Sequence, residues 1–361
     1  MESWSASLDS FKVKVFLDTN ILCYLVDNTY PALTSFIKSL SEMPVVDLIS
    51  SEYVLAEFIG VRKQENYFQE ALKEAKKQNI TLNLSSFLKY NKKYEIPNLE
   101  YSVVQNAVNT AVKQDERAIT NDFNISFVCG FNKNLIKPTK DICLCSRISK
   151  EDSLVLVSSI YKNDEEIITG KLLLLTNDND FYSWYDESKD SIDAVFSEIG
   201  NIPELVKIKD ITNENNQKID LTNQATSDPS DFCISFIKGI IISFYKNLFK
   251  GKTETINSPS APSNCIGIKV SADHLENKSY CMILGKNLDF LYCIPHQIDL
   301  YHCNKPVEKE FTPQPGANQA SFTIDFSKDD IINHLDKDEQ SKILAKIKEA
   351  DNLLFLHPDG Q

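Results

Sequence analysis

The first part of the chain alternates short apolar runs with longer stretches in which apolar residues recur every three or four positions. The runs at residues 13–17, 45–49, 172–175 and 205–208 predict buried strands, and the stretches between them predict helices. Strands that alternate with helices form parallel sheets covered on both faces. The pattern therefore predicts an α/β domain over residues 1–212, a three-layer α/β/α arrangement around a central parallel sheet.

A long stretch separates the second and third of these runs. Residues 62–148 show helical periodicity, as in Val104, Val108 and Val112, and they predict a mostly helical insertion. Near its end, Cys143 and Cys145 have the spacing of alternating strand residues rather than that of a redox pair.

The character of the chain changes after residue 212. Residues 213–230 are rich in Asn, Gln, Thr, Ser and Asp, a composition typical of a linker. Residues 231–361 predict a C-terminal α+β domain that opens with an apolar helix over 232–249. Lys238 and Lys246 interrupt this helix, which favours a core helix over a membrane span. The later elements are predicted strands at 265–272, 279–284, 291–294, 321–326 and 353–356 and a helix at 337–350.

Charge and cysteine content narrow the choice of partner and compartment. The formal net charge of −13 argues against a nucleic acid partner. Residues 61–150, however, hold 15 Lys and Arg against 9 Asp and Glu, a net +6 that suits either phosphate binding or solvated helix faces. The 9 cysteines follow no framework spacing and residues 1–10 lack the apolar core of a signal peptide, so we expect a cytoplasmic protein with reduced thiols and no membrane partner.

Carboxylates lie at the ends of predicted strands and at the starts of predicted helices. The positions concerned are Asp18, Glu57, Asp152, Asp178 and Asp180. Because the carboxyl ends of parallel strands meet at one edge of a sheet, these side chains predict a single acidic site. Clustered carboxylates repel one another unless cations neutralise them, and oxygen ligands favour Mg²⁺ or Mn²⁺.

Glu57 is the most unusual of these carboxylates. It lies between Val54 and Val61 at helical spacing, so we expect it on the core-facing stripe of its helix. The alternative interpretation is a salt bridge to Arg62 or Lys63.

The other carboxylates also have structural interpretations. Asp18 is placed to cap the helix that follows it, and Asp178 and Asp180 are placed to cap the next helical turn. Asp152 lies three residues after Ser149, which is the spacing of a capping box. Each position alone leaves both interpretations open, and the joint occurrence favours a site.

Four segments, in their order along the chain, resemble those of PIN-domain nucleases. They are FLDTN at 16–20, SEYVLAE at 51–57, EDSLVL at 151–156 and LTNDNDF at 175–181. The resemblance covers residues 13–208 apart from the insertion, and its specificity lies in the ordered set rather than in any one motif. The insertion departs from the compact form of that family and would border the cleft, where it would influence substrate preference.

The resemblance implies a set of site residues and a chemistry. The implied catalytic and metal-binding residues are Asp18, Glu57, Asp152 and Asp178, with Asp180 as an auxiliary ligand and Asn20 and Thr176 as groups that orient the ligands. The implied reaction is hydrolysis of a phosphodiester with Mg²⁺ or Mn²⁺, leaving a 5′ phosphate and a 3′ hydroxyl. All five histidines lie after residue 231, so a histidine base is not available from the first domain.

These features together predict a metal-dependent endoribonuclease of a toxin-like or defence kind. The candidate contacts to a nucleic acid backbone are Lys150, Arg62, Lys63, Lys92, Lys93 and Arg147. RNA is favoured over DNA, and a regulator of the antitoxin kind is a further candidate partner. The alternatives are a DNA nuclease with the same chemistry and a non-catalytic nucleic-acid-binding or scaffold protein. A zinc site at His296, His302 and Cys303 is weak because it lacks a paired Cys-x-x-Cys motif.

Overall fold

A five-stranded parallel sheet forms the centre of the first part of the protein. The computed structural model describes residues 12–79, 101–128, 133–163, 166–212, 217–222, 228–248, 254–255, 265–270, 279–285, 291–296 and 353–357. The strands of the sheet are β1 (Val13–Leu17), β2 (Val46–Ser51), β3 (Ser126–Val128), β4 (Leu172–Thr176) and β5 (Glu204–Lys207). Their order is β3-β2-β1-β4-β5, and every neighbouring pair is parallel.

Helices connect these strands and cover them. They are α1 (Thr19–Asp27), α2 (Pro31–Ser41), α3 (Glu52–Lys77), α4 (Tyr101–Asn121), α5 (Ile136–Cys145), α6 (Lys150–Ser159), α7 (Asn179–Glu187), α8 (Lys189–Ile199) and α9 (Pro229–Leu248). Short 3₁₀ turns occupy Lys133–Leu135 and Ile208–Asp210. Among the residues that the structure describes, no helix is long and apolar enough to cross a membrane.

The apolar runs of the sequence form the core of this sheet. All five residues of β4 are buried, and since successive side chains point to opposite faces, both faces of the strand are covered. Phe16 on β1 stands beside Ile49 on β2 and Leu174 on β4, and all three are buried. The predicted α/β class with a central parallel sheet is confirmed.

Two expectations for residues 62–148 are wrong. The segment supplies a strand of the sheet: β3 pairs with β2, with Ile49 opposite Ser126. A strand of three residues is too short to produce a periodic signal, and its side chains are only partly buried. The pair Cys143 and Cys145 lies on α5 and not on a strand.

The helical character of the rest of this segment is confirmed by α4, which packs against the second half of α3. Tyr67, Phe68 and Ala71 on α3 form a small apolar cluster with Val104 and Val108 on α4. This cluster is separate from the main core, so the two helices form a projection with an apolar interior of its own.

Residues inside the predicted linker, and others just after it, contribute to the main core. Ile219 and Leu221 are buried in it, and so are Cys233 and Ile237 near the start of α9. The Cys233 thiol donates to the backbone oxygen of Phe36 on α2 over 3.2 Å. The boundary predicted at residue 231 therefore separates a helix from the core on which it packs, and the first part of α9 belongs with the parallel-sheet unit.

The later strands form a second sheet. They are β6 (Glu254–Thr255), β7 (Cys265–Val270), β8 (Ser279–Gly285), β9 (Leu291–His296) and β10 (Leu353–His357), in the order β6-β10-β7-β8-β9 with an additional β10–β8 pairing. The β10–β7 pair is parallel and the others are antiparallel. The strands predicted near 265, 279, 291 and 353 are confirmed. The strand predicted at 321–326 and the helix at 337–350 lie outside the described residues.

An arginine joins three of the helices. Arg62 on α3 is 5% exposed, and its guanidinium contacts Asp27 at the end of α1, Glu65 on α3 and Asp115 on α4 at 2.7–2.8 Å. Burial alone would lower its pKa, but hydrogen bonds to Asp115 and Asp27 raise it. Arg62 therefore joins α4 to α1 and α3. The predicted contact with a phosphate and the alternative salt bridge with Glu57 are both wrong, because its guanidinium is occupied by these three carboxylates.

Replacing Arg62 with methionine should destabilise the protein by about 3 kcal/mol, the lower end of the range for breaking a buried ion pair. The methionine keeps the apolar stem but leaves Asp115, whose side chain is 16% exposed, without its guanidinium partner. Urea unfolding followed by circular dichroism measures the change. Lys73→Met on the same helix removes a solvent-exposed pair with Glu70 and should leave the midpoint unchanged. Equal midpoints for the two variants would contradict a role for Arg62 in stability.

Candidate acidic site at the carboxyl edge of the sheet

Asp18 lies directly after β1, at the amino end of α1. Its side chain is 6% exposed, and Oδ1 accepts a hydrogen bond from the backbone N–H of Thr19 over 2.7 Å. The other oxygen, Oδ2, accepts from the Asn20 amide and from the Thr176 hydroxyl, each over 2.7 Å. The capping interpretation of Asp18 is therefore confirmed, and only one of the two carboxylate oxygens is used for it.

Thr176 brings the end of β4 to this carboxylate. The backbone N–H of Asp18 donates to the oxygen of Leu175 over 3.1 Å, which extends the β1–β4 pairing to the edge of the sheet. Thr176 is fully buried, and its hydroxyl also accepts from the Asn20 amide over 3.1 Å and from the Asp178 N–H over 3.0 Å. Asn20 and Thr176 are thus placed as the sequence predicts, as partners of Asp18.

The carboxyl of Asp18 is difficult to ionise. Burial, opposed by hydrogen bonds from Thr176 and Thr19 and reinforced by the nearby Glu57 and Asp152, raises its pKa from 3.8 to about 7. A carboxylate in this position is stabilised by hydrogen bonds but faces like charges. The two like charges in this balance, Glu57 and Asp152, show that residues far apart in sequence meet here.

Glu57 reaches the site from the solvent side of α3. It is exposed and not on the core-facing stripe, so that expectation is wrong: the buried positions of this helix are Val54, Phe58 and Arg62. Its Oε2 accepts a hydrogen bond from the Thr19 hydroxyl over 2.7 Å. Glu57 therefore lies beside the buried stripe and not within it, a difference that the spacing of apolar residues alone does not give.

Asp152 and Asp178 complete the set. The backbone N–H of Asp152 donates to Ser149 Oγ over 3.0 Å and that hydroxyl donates to Asp152 Oδ2 over 2.7 Å, which confirms local capping by Ser149. Burial, opposed by the Ser149 hydrogen bond and reinforced by Asp178, Glu57 and Glu151, raises the pKa of Asp152. Asp152 therefore has both Glu57 and Asp178 as charged neighbours, and Asp18 has Glu57 and Asp152.

The carboxylate of Asp178 has a second, structural task. Its Oδ1 accepts from the N–H groups of Asp180 and Phe181 over 2.8 and 3.0 Å and so caps α7. Asp178 and Asp180 are both exposed. Asp178 therefore supplies the helix cap considered from the sequence, and Asp180 takes part in it only through its backbone N–H.

Tyr53 is a residue of this region that the motif comparison did not single out. It is half-buried one turn before Glu57 on α3. Burial, reinforced by Glu57, Glu151 and Asp152, raises its pKa to about 12. The i, i+4 spacing of Tyr53 and Glu57 was the signal in the sequence.

The chemistry of this donor set suits a hard divalent cation. All four groups are carboxylates, and none of the salt bridges formed by the described residues involves them. Within the described ranges, no group of three His, Cys, Asp or Glu side chains stands ready to hold a metal ion. Mg²⁺ is compatible with this arrangement because it keeps several waters and needs only one or two protein carboxylates.

The predicted basic contacts have different positions. Lys150 is exposed and lies 3.3 Å from Glu151, next to Asp152. Arg147 is exposed, with its guanidinium 5.7 Å from the centre of the Trp184 ring on α7. Lys63 contacts the Tyr101 ring at 5.4 Å, at the α3–α4 projection. Lys92 and Lys93 lie outside the described residues, as do the side chains proposed for zinc.

Comparison with known proteins adds no relative: no protein-family model, curated protein or solved structure matches the chain significantly.

The raised pKa of Asp18 predicts a pH-dependent stability in metal-free protein. Between pH 3.8 and about 7 the folded protein holds a proton that the unfolded chain has released, so the folded state loses stability as pH rises through this range. Asp18→Asn lacks this titration. As pH rises, the free energy of unfolding of Asp18→Asn should therefore increase relative to that of the wild type, by up to about 1.4 kcal/mol per pH unit. Above the pKa of Asp18 the difference should become constant.

Urea titrations in the presence of EDTA, repeated from pH 4.5 to 8.5, measure this difference. Asp190→Asn, at an exposed position of α8, serves as the matched control for the change from a carboxylate to an amide. A pH-independent difference for Asp18→Asn would contradict the shifted pKa.

Proposed function

We propose that this protein is a PIN-like nuclease that hydrolyses RNA with the help of a divalent cation. The observation that supports this most directly is Asp18: a buried carboxylate, held in place at the carboxyl edge of a parallel sheet, with like charges from Glu57 and Asp152 as neighbours. Ligands of parallel α/β sheets bind at this edge. An arrangement that works against its own stability is typical of a functional site.

Asp18 is the residue best placed to hold Mg²⁺ or Mn²⁺, with Glu57, Asp152 and Asp178 as the other carboxylates around it. When bound, the cation would supply an activated water and neutralise charge on the phosphate. The hydrogen bonds from Asn20 and Thr176 hold one oxygen of Asp18, and the bond from Thr19 holds Glu57. These bonds reduce the motion of the ligands before substrate arrives.

The remaining neighbours suit a nucleic acid strand. Lys150 is exposed beside Asp152 and is free to turn its ammonium group toward a phosphate, because its pair with Glu151 is at the surface. Arg147, in the loop before the helix of Asp152, places its guanidinium near the indole of Trp184, on the helix that Asp178 caps. Such a pair suits stacking on an unpaired base. The preference for RNA over DNA rests on the resemblance of the four segments.

A second candidate function is nucleic acid binding without cleavage. The described residues contain no preassembled group of three metal ligands, which favours this alternative. The cytoplasm is the compartment we propose for either function, since Cys23, Cys143, Cys145 and Cys233 are all free thiols.

Wild-type protein should cleave single-stranded RNA in the presence of Mn²⁺, and Asp18→Asn should reduce the rate at least about a hundredfold, since loss of a metal ligand removes several kcal/mol of transition-state stabilisation. Gel analysis of an end-labelled RNA measures cleavage. The DNA of the same sequence tests the alternative substrate. Asp190→Asn should cleave as the wild type does.

Binding measurements separate the two functions. Calorimetry with Mn²⁺ and fluorescence anisotropy with the same RNA should detect both ligands for the wild type. RNA binding without cleavage under Mg²⁺ or Mn²⁺ would favour the non-catalytic function. Absence of Mn²⁺ binding, or equal cleavage by wild type and Asp18→Asn, would rule out the proposed mechanism.

Thr176 offers a test of how the site is positioned. Thr176→Val removes the hydroxyl that donates to Asp18 and should weaken Mn²⁺ binding about tenfold, as loss of a group that orients a ligand does. Thr176→Ser retains the hydroxyl and should bind Mn²⁺ within a factor of about three of the wild type, by the same principle. Calorimetric dissociation constants for the three proteins decide the matter, and weakening in both variants alike would point to packing rather than to the hydrogen bond.

A further inference from the structure

A groove is lined along much of the length of two neighbouring strands, by Val46 and Ile49 of β2 and by Ser126 and Val128 of β3. Its volume is about 640 Å³, within the range of small-molecule sites. Further lining comes from Lys12 and Lys14 at the start of β1 and from the loop before β4. The proposed nuclease reaction uses none of them.

The groove contains a surplus of positive charge. Lys12 and Lys14 both donate to the single carboxylate of Asp47, and their side chains are 27% and 13% exposed. The other charged residues of the lining, Lys162 and Glu166, pair with each other at 3.7 Å. The described lining therefore has one ammonium group more than it has carboxylates.

A half-buried ammonium group is costly when its charge is not balanced. Burial alone would raise the pKa of Asp47, but hydrogen bonds from Lys14 and Lys12 lower it, so Asp47 remains ionised and balances one lysine only. Lys14 lies within β1, between the buried Val13 and Val15, where a lysine is uncommon. An anion in the groove would balance the second charge.

Apolar side chains form the rest of the groove. Ile49, Val128 and Ile168 line it on three separate elements, β2, β3 and the loop before β4. A ligand that binds here therefore meets a cationic end and an apolar wall. An inorganic anion would fill only a small part of this volume.

We propose that the groove binds a small organic monoanion, with its charged group on Lys12 and Lys14 and its apolar body against Ile49, Val128 and Ile168. This site is separate from the acidic site and does not depend on nuclease activity. The class of ligand follows from one surplus charge, an apolar lining and the volume.

The fluorescent monoanion 8-anilinonaphthalene-1-sulfonate tests the proposal with the full-length protein. It should bind the folded protein with a stoichiometry of one, and N-phenyl-1-naphthylamine, which has the same ring systems without the sulfonate, should bind much more weakly. Lys14→Met should weaken binding of the anion about tenfold, since it removes a charge-assisted hydrogen bond. Asp47→Asn should strengthen binding, because it frees both lysines from their carboxylate partner.

The matched control is Lys171→Met. Lys171 is also partly buried, directly before β4, but it pairs with Glu204 and does not line the groove. It should leave the dissociation constant unchanged. Amide chemical shifts of the wild type on addition of the anion should change at Ile49, Val128 and Ile168, which excludes binding to an unfolded fraction.

Opposite effects of Lys14→Met and Asp47→Asn, with unchanged binding by Lys171→Met, would support the proposal. Absence of binding to the wild type, equal binding of the neutral analogue, or equal dissociation constants in the two groove variants would overturn it. Because both groove variants keep the four carboxylates, their cleavage of RNA reports on the nuclease proposal separately.

Discussion

The hydrogen bond from Thr176 to Asp18 joins two strands at the point where the sheet ends, and the carboxyl edge is organised around it. Parallel pairing of β1 and β4 places these two residues side by side, although 158 positions separate them in sequence. The Asn20 amide donates to both residues, and the backbone N–H of Asp178 donates to the Thr176 hydroxyl. A change in the β1–β4 register would separate Thr176 and Asp178 from Asp18 and Asn20, because a shift by one residue turns each side chain to the other face.

This arrangement opposes the stability of the fold. Burial and like charges make ionisation of Asp18 unfavourable, and Asp152 experiences a similar environment. The apolar strands around it supply the compensation: β4 is buried along its whole length and β1 along most of it. A cation that binds only the folded protein would stabilise it further, since ligand binding and folding are linked. The burial of apolar side chains in the strands thus offsets the unfavourable energy of the carboxylates at the edge of the sheet.

Helix α3 belongs to two parts of the molecule. Its first half carries Tyr53 and Glu57 to the acidic site, and its second half packs with α4 in a separate apolar cluster. Arg62 lies between these halves and contacts α1 and α4, so the projection is held at a defined angle to the sheet.

The sequence alone determined the α/β class and the identity of the buried strands, because apolar runs such as residues 172–175 can be accommodated only where both faces are covered. It also placed Asp18 and Asp178 at one edge, since residues that follow neighbouring parallel strands share an edge of the sheet. It did not determine the strand β3, which is too short for a period, or the exposed side of α3 that carries Glu57.

The tertiary structure decided which groups meet. The charged partners of Arg62 come from three helices, and no local pattern relates Asp27 to Asp115. The same holds for the placement of α9 against α2 and for the groove that combines Lys14 with Ile168. Periodicity reports which face of an element is buried, but contacts between distant elements depend on the angle at which they pack, and only the folded chain fixes that angle.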